Sequence, residues 1–107
     1  MHENELIRQL RQRVRDPATM IGIGDDCCVW TPNGRTCLST DTMVEGRHFR
    51  ADDAPALVGR KAAGAALSDL AAMGATPVGA TVALSCPARW DALAVMEGLL
   101  TESAVGR

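Results

Sequence analysis

The sequence predicts a layered fold of the α/β or α+β class, with a mixed sheet packed against helices. Three observations predict it. Apolar residues recur at helical spacing near the start of the chain, strand-like apolar segments occupy the middle, and helix and strand patterns follow one another without linkers or repeats. Their order is helix, strand, strand, helix, strand, helix, which fits one small domain over residues 1–107.

Three segments have the spacing of helices. They are residues 3–15, 54–73 and 88–105. Pro17 follows the first segment and is expected to end that helix. Asp53 is expected to cap the start of the second helix, with Pro55 near its first position and Gly74 as its stop.

Three shorter segments have the pattern of strands. They are residues 27–30, 36–44 and 78–85. The sequence TPNGR at 31–35 has the composition of a hairpin turn between the first two. Residues 78–85 are small or apolar on both faces, which predicts a strand that is covered on both sides.

Composition argues against several classes of function. The formal net charge is −2, which does not favour binding to nucleic acid or to an anionic membrane. Aromatic side chains, on which single-stranded nucleic acids stack, are scarce. No apolar run approaches the roughly 20 residues of a membrane span. The charged N-terminus lacks the apolar core of a signal peptide, so a cytoplasmic location is expected.

The cysteines do not have the spacing of a zinc site, and they are expected to be small buried or half-buried thiols. They are Cys27, Cys28, Cys37 and Cys86. Cys27 and Cys28 are neighbours in a predicted strand, so they are expected to point to opposite faces.

A glycine-rich turn carries the first candidate metal ligands. In GIGDD at residues 22–26, the glycines allow a tight turn and a close approach to a ligand, and Asp25 and Asp26 follow at once. Mg²⁺ prefers oxygen ligands and commonly shares them with substrate phosphates. An ordinary surface turn has the same composition, so this motif alone does not decide between the two.

The second candidate segment ends a predicted strand. Alternation places Ser39 and Asp41 on one face and Thr40 on the other, and all three offer oxygen atoms. A strand that enters a turn attracts the same residue types, so the two interpretations are equally balanced.

Asp69 is the most informative acidic residue. Its neighbours at helical spacing are all apolar, which predicts that Asp69 lies on the buried face of the second helix. A buried carboxylate needs a compensating partner, and a metal shared with Asp26 and Asp41 would provide one. Capping of a neighbouring loop by Asp69 is the alternative.

The motifs GIGDDC, STDTMVEGRHF and ALSDLAAMGATP, in this order, resemble the N-terminal half of the thiamine-monophosphate kinase family. This family lies within the aminoimidazole-ribonucleotide-synthetase-like ATP-binding superfamily. The resemblance covers residues 20–84 and implies an N-terminal ATP-binding and dimerisation domain with a mixed sheet. It also implies that residues 1–107 are truncated, since a further metal-binding motif and a C-terminal domain are expected to follow.

The resemblance implies a role for each matching residue. The implied metal ligands are Asp26, Ser39, Thr40, Asp41 and Asp69. Asp41 would bridge two ions, and Asp25 would support the metal site without binding the metal directly. His48 would contact the substrate, although Arg47 beside it is equally suited to bind phosphate. No side chain is assigned a catalytic role as a nucleophile.

The implied reaction transfers the γ-phosphoryl group of ATP to thiamine monophosphate, which gives thiamine diphosphate and ADP. Mg²⁺ ions held by carboxylates would neutralise the repulsion between the two anionic substrates. The full-length protein is expected to be a homodimer, and residues 1–107 alone are expected to be inactive. There are two alternatives. The chain could belong to another member of the superfamily with a different phosphate acceptor, or it could be a non-catalytic dimerisation or metal-binding module.

Overall fold

The computed structural model describes residues 1–16 and 20–104. These residues form three helices, α1 (Glu3–Arg13), α2 (Pro55–Ala72) and α3 (Ala92–Ala104). The three predicted helices are thereby confirmed, with ends that differ by a few residues. Pro17 and Val105, at which the first and third helices were predicted to end, lie outside the described residues.

Helix α1 carries charges that suit its two ends. Glu3 and Glu5 lie in the first turn, and Arg11 and Arg13 lie in the last, so each group opposes the partial charge of its helix end. Arg8 donates hydrogen bonds to Glu5 and lowers the pKa of that carboxyl to about 2. The opposite face buries Leu10.

The ends of α2 are set partly as predicted. Pro55 lies at its first turn. At the other end, Gly74 has a φ of +67°, and the amides of Gly74 and Ala75 donate to the carbonyl oxygens of Ala71 and Leu70. This pair of bonds is a Schellman motif, which confirms Gly74 as the stop.

The prediction that Asp53 caps α2 is wrong. The residue at the N-cap position is Ala54, and it makes no side-chain cap. Asp53 instead accepts a hydrogen bond from the Arg50 amide at 2.8 Å and closes the turn before the helix. Its carboxylate satisfies that turn, because a short polar side chain bonds most readily to nearby backbone.

Helix α3 begins later than predicted because Asp91 caps it. The Asp91 carboxylate accepts a hydrogen bond from the Ala94 amide at 3.0 Å, which satisfies one of the free donors at the helix start. Residues 88–91, predicted as helical, therefore lie before the helix.

Helices α2 and α3 pack with their backbones in contact. A Cβ atom built on Gly59 would lie 1.9 Å from the Val95 carbonyl oxygen, and one on Gly98 would lie 2.0 Å from that of Ala56. Both glycines are buried, as is Val58 beside them. The missing side chains thus allow an approach that any larger residue would prevent.

Ion pairs at the surface accompany this packing. Arg13 of α1 lies 3.2 Å from Glu97 of α3, and Arg60 of α2 lies 3.2 Å from Glu102 of α3. Exposed pairs of this kind contribute little to stability, so the helix contacts carry the fold.

The predicted sheet is not confirmed. No segment of the described ranges is a strand, and residues 36–44 and 78–85 are extended and largely exposed. A strand requires a neighbour that supplies its backbone hydrogen bonds. Residues 30–43 and 76–86 make no backbone hydrogen bond to one another or to other described residues.

The one antiparallel pairing in the described part of the chain lies elsewhere than the predicted hairpin. Ile21 and Val29 exchange two backbone hydrogen bonds of 2.8 Å. They close a loop at residues 22–28, instead of a hairpin around 31–35. This loop contains the GIGDD motif.

The cysteines are more exposed than predicted. Cys27 and Cys37 are exposed, whereas Cys28 and Cys86 are half-buried and fit the prediction. The exposed thiols lie on segments that were predicted as strands, and no described element covers them. Of the helices that the structure describes, none combines the length and apolar character needed to span a membrane.

Candidate functional site

The glycine-rich motif forms a closed loop that presents two carboxylates. Gly24 has a φ of +102°, a conformation that glycine adopts without strain. The Asp26 amide donates a hydrogen bond of 2.8 Å to the Asp25 carboxylate, and both side chains are exposed. Asp25 therefore bonds to the backbone of the turn that carries Asp26, and its supporting role at a metal site stays a prediction.

Helix α1 touches this loop through one side chain. The Cδ and Nε atoms of Arg11 lie 2.8 and 2.9 Å from the position of a Cβ on Gly24. Nothing in the sequence pattern predicted this contact of Arg11 with the loop. Arg11 lies in the last turn of an amphipathic helix, where a positive charge is explained by the partial negative charge of the helix end alone.

Two of the predicted metal ligands are in direct contact. The Ser39 hydroxyl donates a hydrogen bond of 3.2 Å to the Asp69 carboxylate, across a sequence separation of 30 residues. The two residues share an open groove of about 400 Å³. Its lining consists of Cys37, Leu38, Ser39, Asp69, Leu70 and Met73.

Asp69 is exposed, and the prediction that it lies on a buried face is wrong. The buried part of α2 is its first half, at Val58, Gly59 and Ala63, where α3 crosses it. Beyond that crossing the apolar side chains of α2 are half-buried or exposed, and Met73 is 73% exposed. The carboxylate is therefore solvated and needs no compensating charge in this structure.

The other two predicted ligands of the second motif lie beside Ser39. Thr40 and Asp41 are exposed, and the Asp41 carboxylate accepts a hydrogen bond of 3.0 Å from the Thr42 amide. Within residues 1–16 and 20–104, no three acidic, histidine or cysteine side chains lie close enough to hold one metal ion. The structure thus joins Ser39 to Asp69, and in the described part of the chain it does not gather Asp26, Asp41 and Asp69 into one cluster.

The donor chemistry nevertheless fits Mg²⁺. Every predicted ligand offers carboxylate or hydroxyl oxygen, and Mg²⁺ is bound by such oxygens together with water and phosphate. It commonly takes only one or two carboxylates directly. The ligand set as a whole stays a prediction.

His48 lies in a turn whose backbone holds the imidazole ring. The Val44 amide donates a hydrogen bond of 2.9 Å to His48 Nδ1, and the His48 amide donates one of 2.9 Å to the Val44 carbonyl oxygen. Lys61 of α2 donates to the His48 carbonyl oxygen. His48 is half-buried, while Arg47 and Arg50 beside it are exposed.

Lys61 of α2 and Trp90, just before α3, contact this turn, and the sequence pattern assigned neither to the site. The rings of Phe49 and Trp90 lie 5.5 Å apart at an angle of 55°, a favourable aromatic geometry. Phe49 and Trp90 are far apart in the sequence, so no local pattern predicted their contact. Lys61 carried a weak signal, since it is a cation within a helix of mostly small and apolar residues.

A family model places the chain in a known class of proteins. The family model described as AIR synthase related protein, N-terminal domain, matches residues 24–104. The chain therefore belongs to this family. The match includes both the Ser39–Asp69 contact and the His48 turn.

Within that class the chain is similar to proteins named thiamine-monophosphate kinase, which confirms the resemblance seen in the motifs. It is 46% identical to the one from Escherichia coli over 79% of this chain and 27% of that protein. The Synechococcus elongatus protein is 52% identical over 60% of this chain and 20% of its own length. The Mycobacterium tuberculosis protein is 38% identical over 94% of this chain and 32% of its own length.

The chain spans 20–32% of the length of these three relatives. No solved structure matches it significantly.

Proposed function

We propose that this chain is the ATP- and magnesium-binding domain of an enzyme that phosphorylates thiamine monophosphate to thiamine diphosphate. The observation that carries the proposal is the Ser39–Asp69 hydrogen bond, which joins two of the three motifs at one groove. Family membership and relatives at 38–52% identity that bear the kinase name support it.

The proposed ligands of the metal are Asp26, Ser39, Thr40, Asp41 and Asp69. When bound, Mg²⁺ would neutralise the charge of the phosphates of ATP and the acceptor. The side chains themselves supply fixed oxygen atoms, and Asp25 holds the turn that carries Asp26. No protein nucleophile is needed, since phosphoryl transfer depends mainly on positioning and charge.

His48 is the proposed contact to the acceptor. Its turn also carries the exposed cations Arg47 and Arg50, which suit a phosphate-bearing substrate. The proposed partners are accordingly ATP and thiamine monophosphate.

The sheet and the homodimer are proposed together. Leu38 is 91% exposed and Val78 is 62% exposed, although both lie on segments with strand-like sequence. Isolated exposed apolar residues are common, but extended segments that carry several of them favour pairing. We propose that residues 36–44 and 78–85 become strands when two copies of the domain associate.

The test of the metal site is calorimetry with Mg²⁺ and a non-hydrolysable ATP analogue on the full-length gene product. The variant Asp69→Asn removes a charge and retains the side-chain volume, so it is expected to weaken Mg²⁺-dependent binding by about tenfold or more. The matched control is Asp52→Asn, because Asp52 is an exposed carboxylate in the turn before α2.

Equal losses in the two variants would show that Asp69 acts only through net charge. Unchanged binding in Asp69→Asn would remove it from the site and contradict the proposal.

A further inference from the structure

The turn at residues 44–49 is held at both of its ends. Val44 makes reciprocal contacts with His48, in which its amide donates to Nδ1 and its carbonyl accepts the His48 amide. The Gly46 amide donates to the Phe49 carbonyl oxygen at 2.7 Å. These bonds lie within the turn and define its local shape.

Contacts from helix α2 and from the segment just before α3 fix the turn relative to the rest of the domain. Lys61 of α2 donates to the His48 carbonyl oxygen. Trp90, just before α3, stacks at a tilt on Phe49, and Arg89 lies 3.9 Å from Glu45. Of these contacts, the one from Lys61 is made to His48 itself.

The hydrogen bonds determine which atom of the imidazole ring is presented. Because Nδ1 accepts the Val44 amide, the ring proton of the neutral imidazole resides on Nε2. His48 therefore offers an N–H donor at Nε2 to a ligand. Arg47 and Arg50 are exposed, and neither forms an ion pair among the described residues.

A donor flanked by cations suits an anionic oxygen acceptor, and phosphate is the most common one. Two arginines and an N–H group would match the terminal phosphate of an acceptor substrate better than an uncharged ring. The charges of the turn and the N–H donor of His48 therefore favour the phosphate end of the substrate as the part that this turn would contact.

We propose that Lys61 is a positioning residue, which holds the His48 turn against α2 so that Nε2–H donates to the phosphate of the acceptor substrate. The proposal rests on the proposed function for the identity of that substrate. The hydrogen-bonded arrangement of Lys61, His48 and Val44 stands independently of it.

Helix α2 gives this arrangement a second consequence. Lys61 and Asp69 are separated by eight helical positions, which corresponds to about 12 Å along the helix axis. One continuous helix thus sets the distance between the acceptor contact and the proposed metal ligand. The acceptor and ATP would then be placed relative to each other by the same element.

The experiment measures amide hydrogen exchange and imidazole ¹⁵N shifts by NMR in the full chain. In Lys61→Met, which retains the side-chain stem, the Val44 amide is expected to exchange about tenfold faster because the turn loses its anchor. The His48 ring nitrogens are expected to shift toward those of a mixture of tautomers. Lys61→Arg keeps a donor and is expected to restore both signals.

The matched control is Arg60→Met, which removes a neighbouring cation of α2 whose partner is Glu102. It is expected to leave the Val44 and His48 signals unchanged. The Val95 amide, bonded to the Asp91 carbonyl oxygen, reports on the first turn of α3 and is expected to stay protected in every variant. His48→Ala is expected to accelerate Val44 exchange as Lys61→Met does.

Equal Val44 exchange in Lys61→Met and Arg60→Met would overturn the positioning role. Unchanged exchange of the Val44 amide in His48→Ala would also overturn it, because this result would show that the imidazole does not accept the Val44 amide in the wild-type protein.

Steady-state kinetics on the full-length gene product separate this role from the proposed function. Lys61→Met is expected to raise the KM for thiamine monophosphate about tenfold and to leave kcat unchanged. A wild-type protein that does not phosphorylate thiamine monophosphate contradicts the proposed function, and the NMR result then still decides the positioning role. Active wild type with an unchanged KM in Lys61→Met overturns the positioning role.

Discussion

Short polar side chains in this domain bond mainly to backbone groups close to them. Asp91 accepts the Ala94 amide, Asp53 accepts the Arg50 amide, and His48 accepts the Val44 amide. Each of these bonds satisfies a donor that would otherwise need water. Ser39 and Asp69 differ, because their bond spans 30 residues and links an extended segment to a helix.

The Asp91 cap makes a prediction about the stability of α3. Asp91→Ala removes the acceptor for the Ala94 amide and is expected to lower the free energy of unfolding by about 0.5–2 kcal/mol. Asp91→Asn keeps an acceptor at the same place and is expected to stay close to wild type. Urea unfolding measures both, and an equal loss in the two variants would contradict a capping role.

At the scale of elements, the contact between α2 and α3 forms the core of the domain. Gly59 and Gly98 bring the backbones of the two helices together, and Val58, Ala63 and Val95 are buried around them. The carbonyl oxygens that an added Cβ would meet belong to helical backbone, which does not move aside easily. The helix crossing is therefore intolerant of added volume.

Gly98→Ala is expected to destabilise the domain by about 1–3 kcal/mol, since its Cβ would overlap the Ala56 carbonyl oxygen. The matched control is Gly64→Ala in α2, where an added Cβ meets nothing within 4 Å. That change is expected to stabilise the helix by about 0.5–1 kcal/mol. Chemical denaturation measures the free energy of unfolding of both variants. An unchanged free energy in Gly98→Ala would contradict the close approach of the two helices.

The elements also show which features the sequence was able to predict. The three helices were predictable because periodicity and the glycine stop at Gly74 are local signals. The strands were not confirmed, because strand pairing depends on partners that local sequence does not reveal. Asp53 and Asp91 both precede a helix, and sequence alone did not show that only Asp91 would cap one.

The residues of the candidate site stay a prediction, and the structure bears only on where they lie. The motifs identified Ser39 and Asp69, and the structure brings them together. The prediction that Asp69 is buried was wrong, because the apolar neighbours of Asp69 on α2 do not reveal where α3 crosses that helix. Lys61 was missed because its contact is to a backbone carbonyl, which no residue pattern encodes.

The whole molecule combines a packed helical part with two extended segments. Its radius of gyration is 14.3 Å. A compact chain of this length would have a value of about 13 Å. The excess is consistent with residues 36–44 and 78–85, which lie largely exposed. At this scale α2 contacts both the groove at Ser39 and Asp69 and the His48 turn, while residues 36–44 and 78–85 are the segments proposed to pair between two copies of the domain.

The central claim is that the domain serves phosphoryl transfer from ATP to thiamine monophosphate. The most direct test is a coupled ADP-release assay on the full-length gene product, with ATP, Mg²⁺ and thiamine monophosphate, and with thiamine diphosphate identified as the product. The account predicts ADP release that requires both Mg²⁺ and thiamine monophosphate. Release only with a different phosphate acceptor, or no release at all, would contradict it.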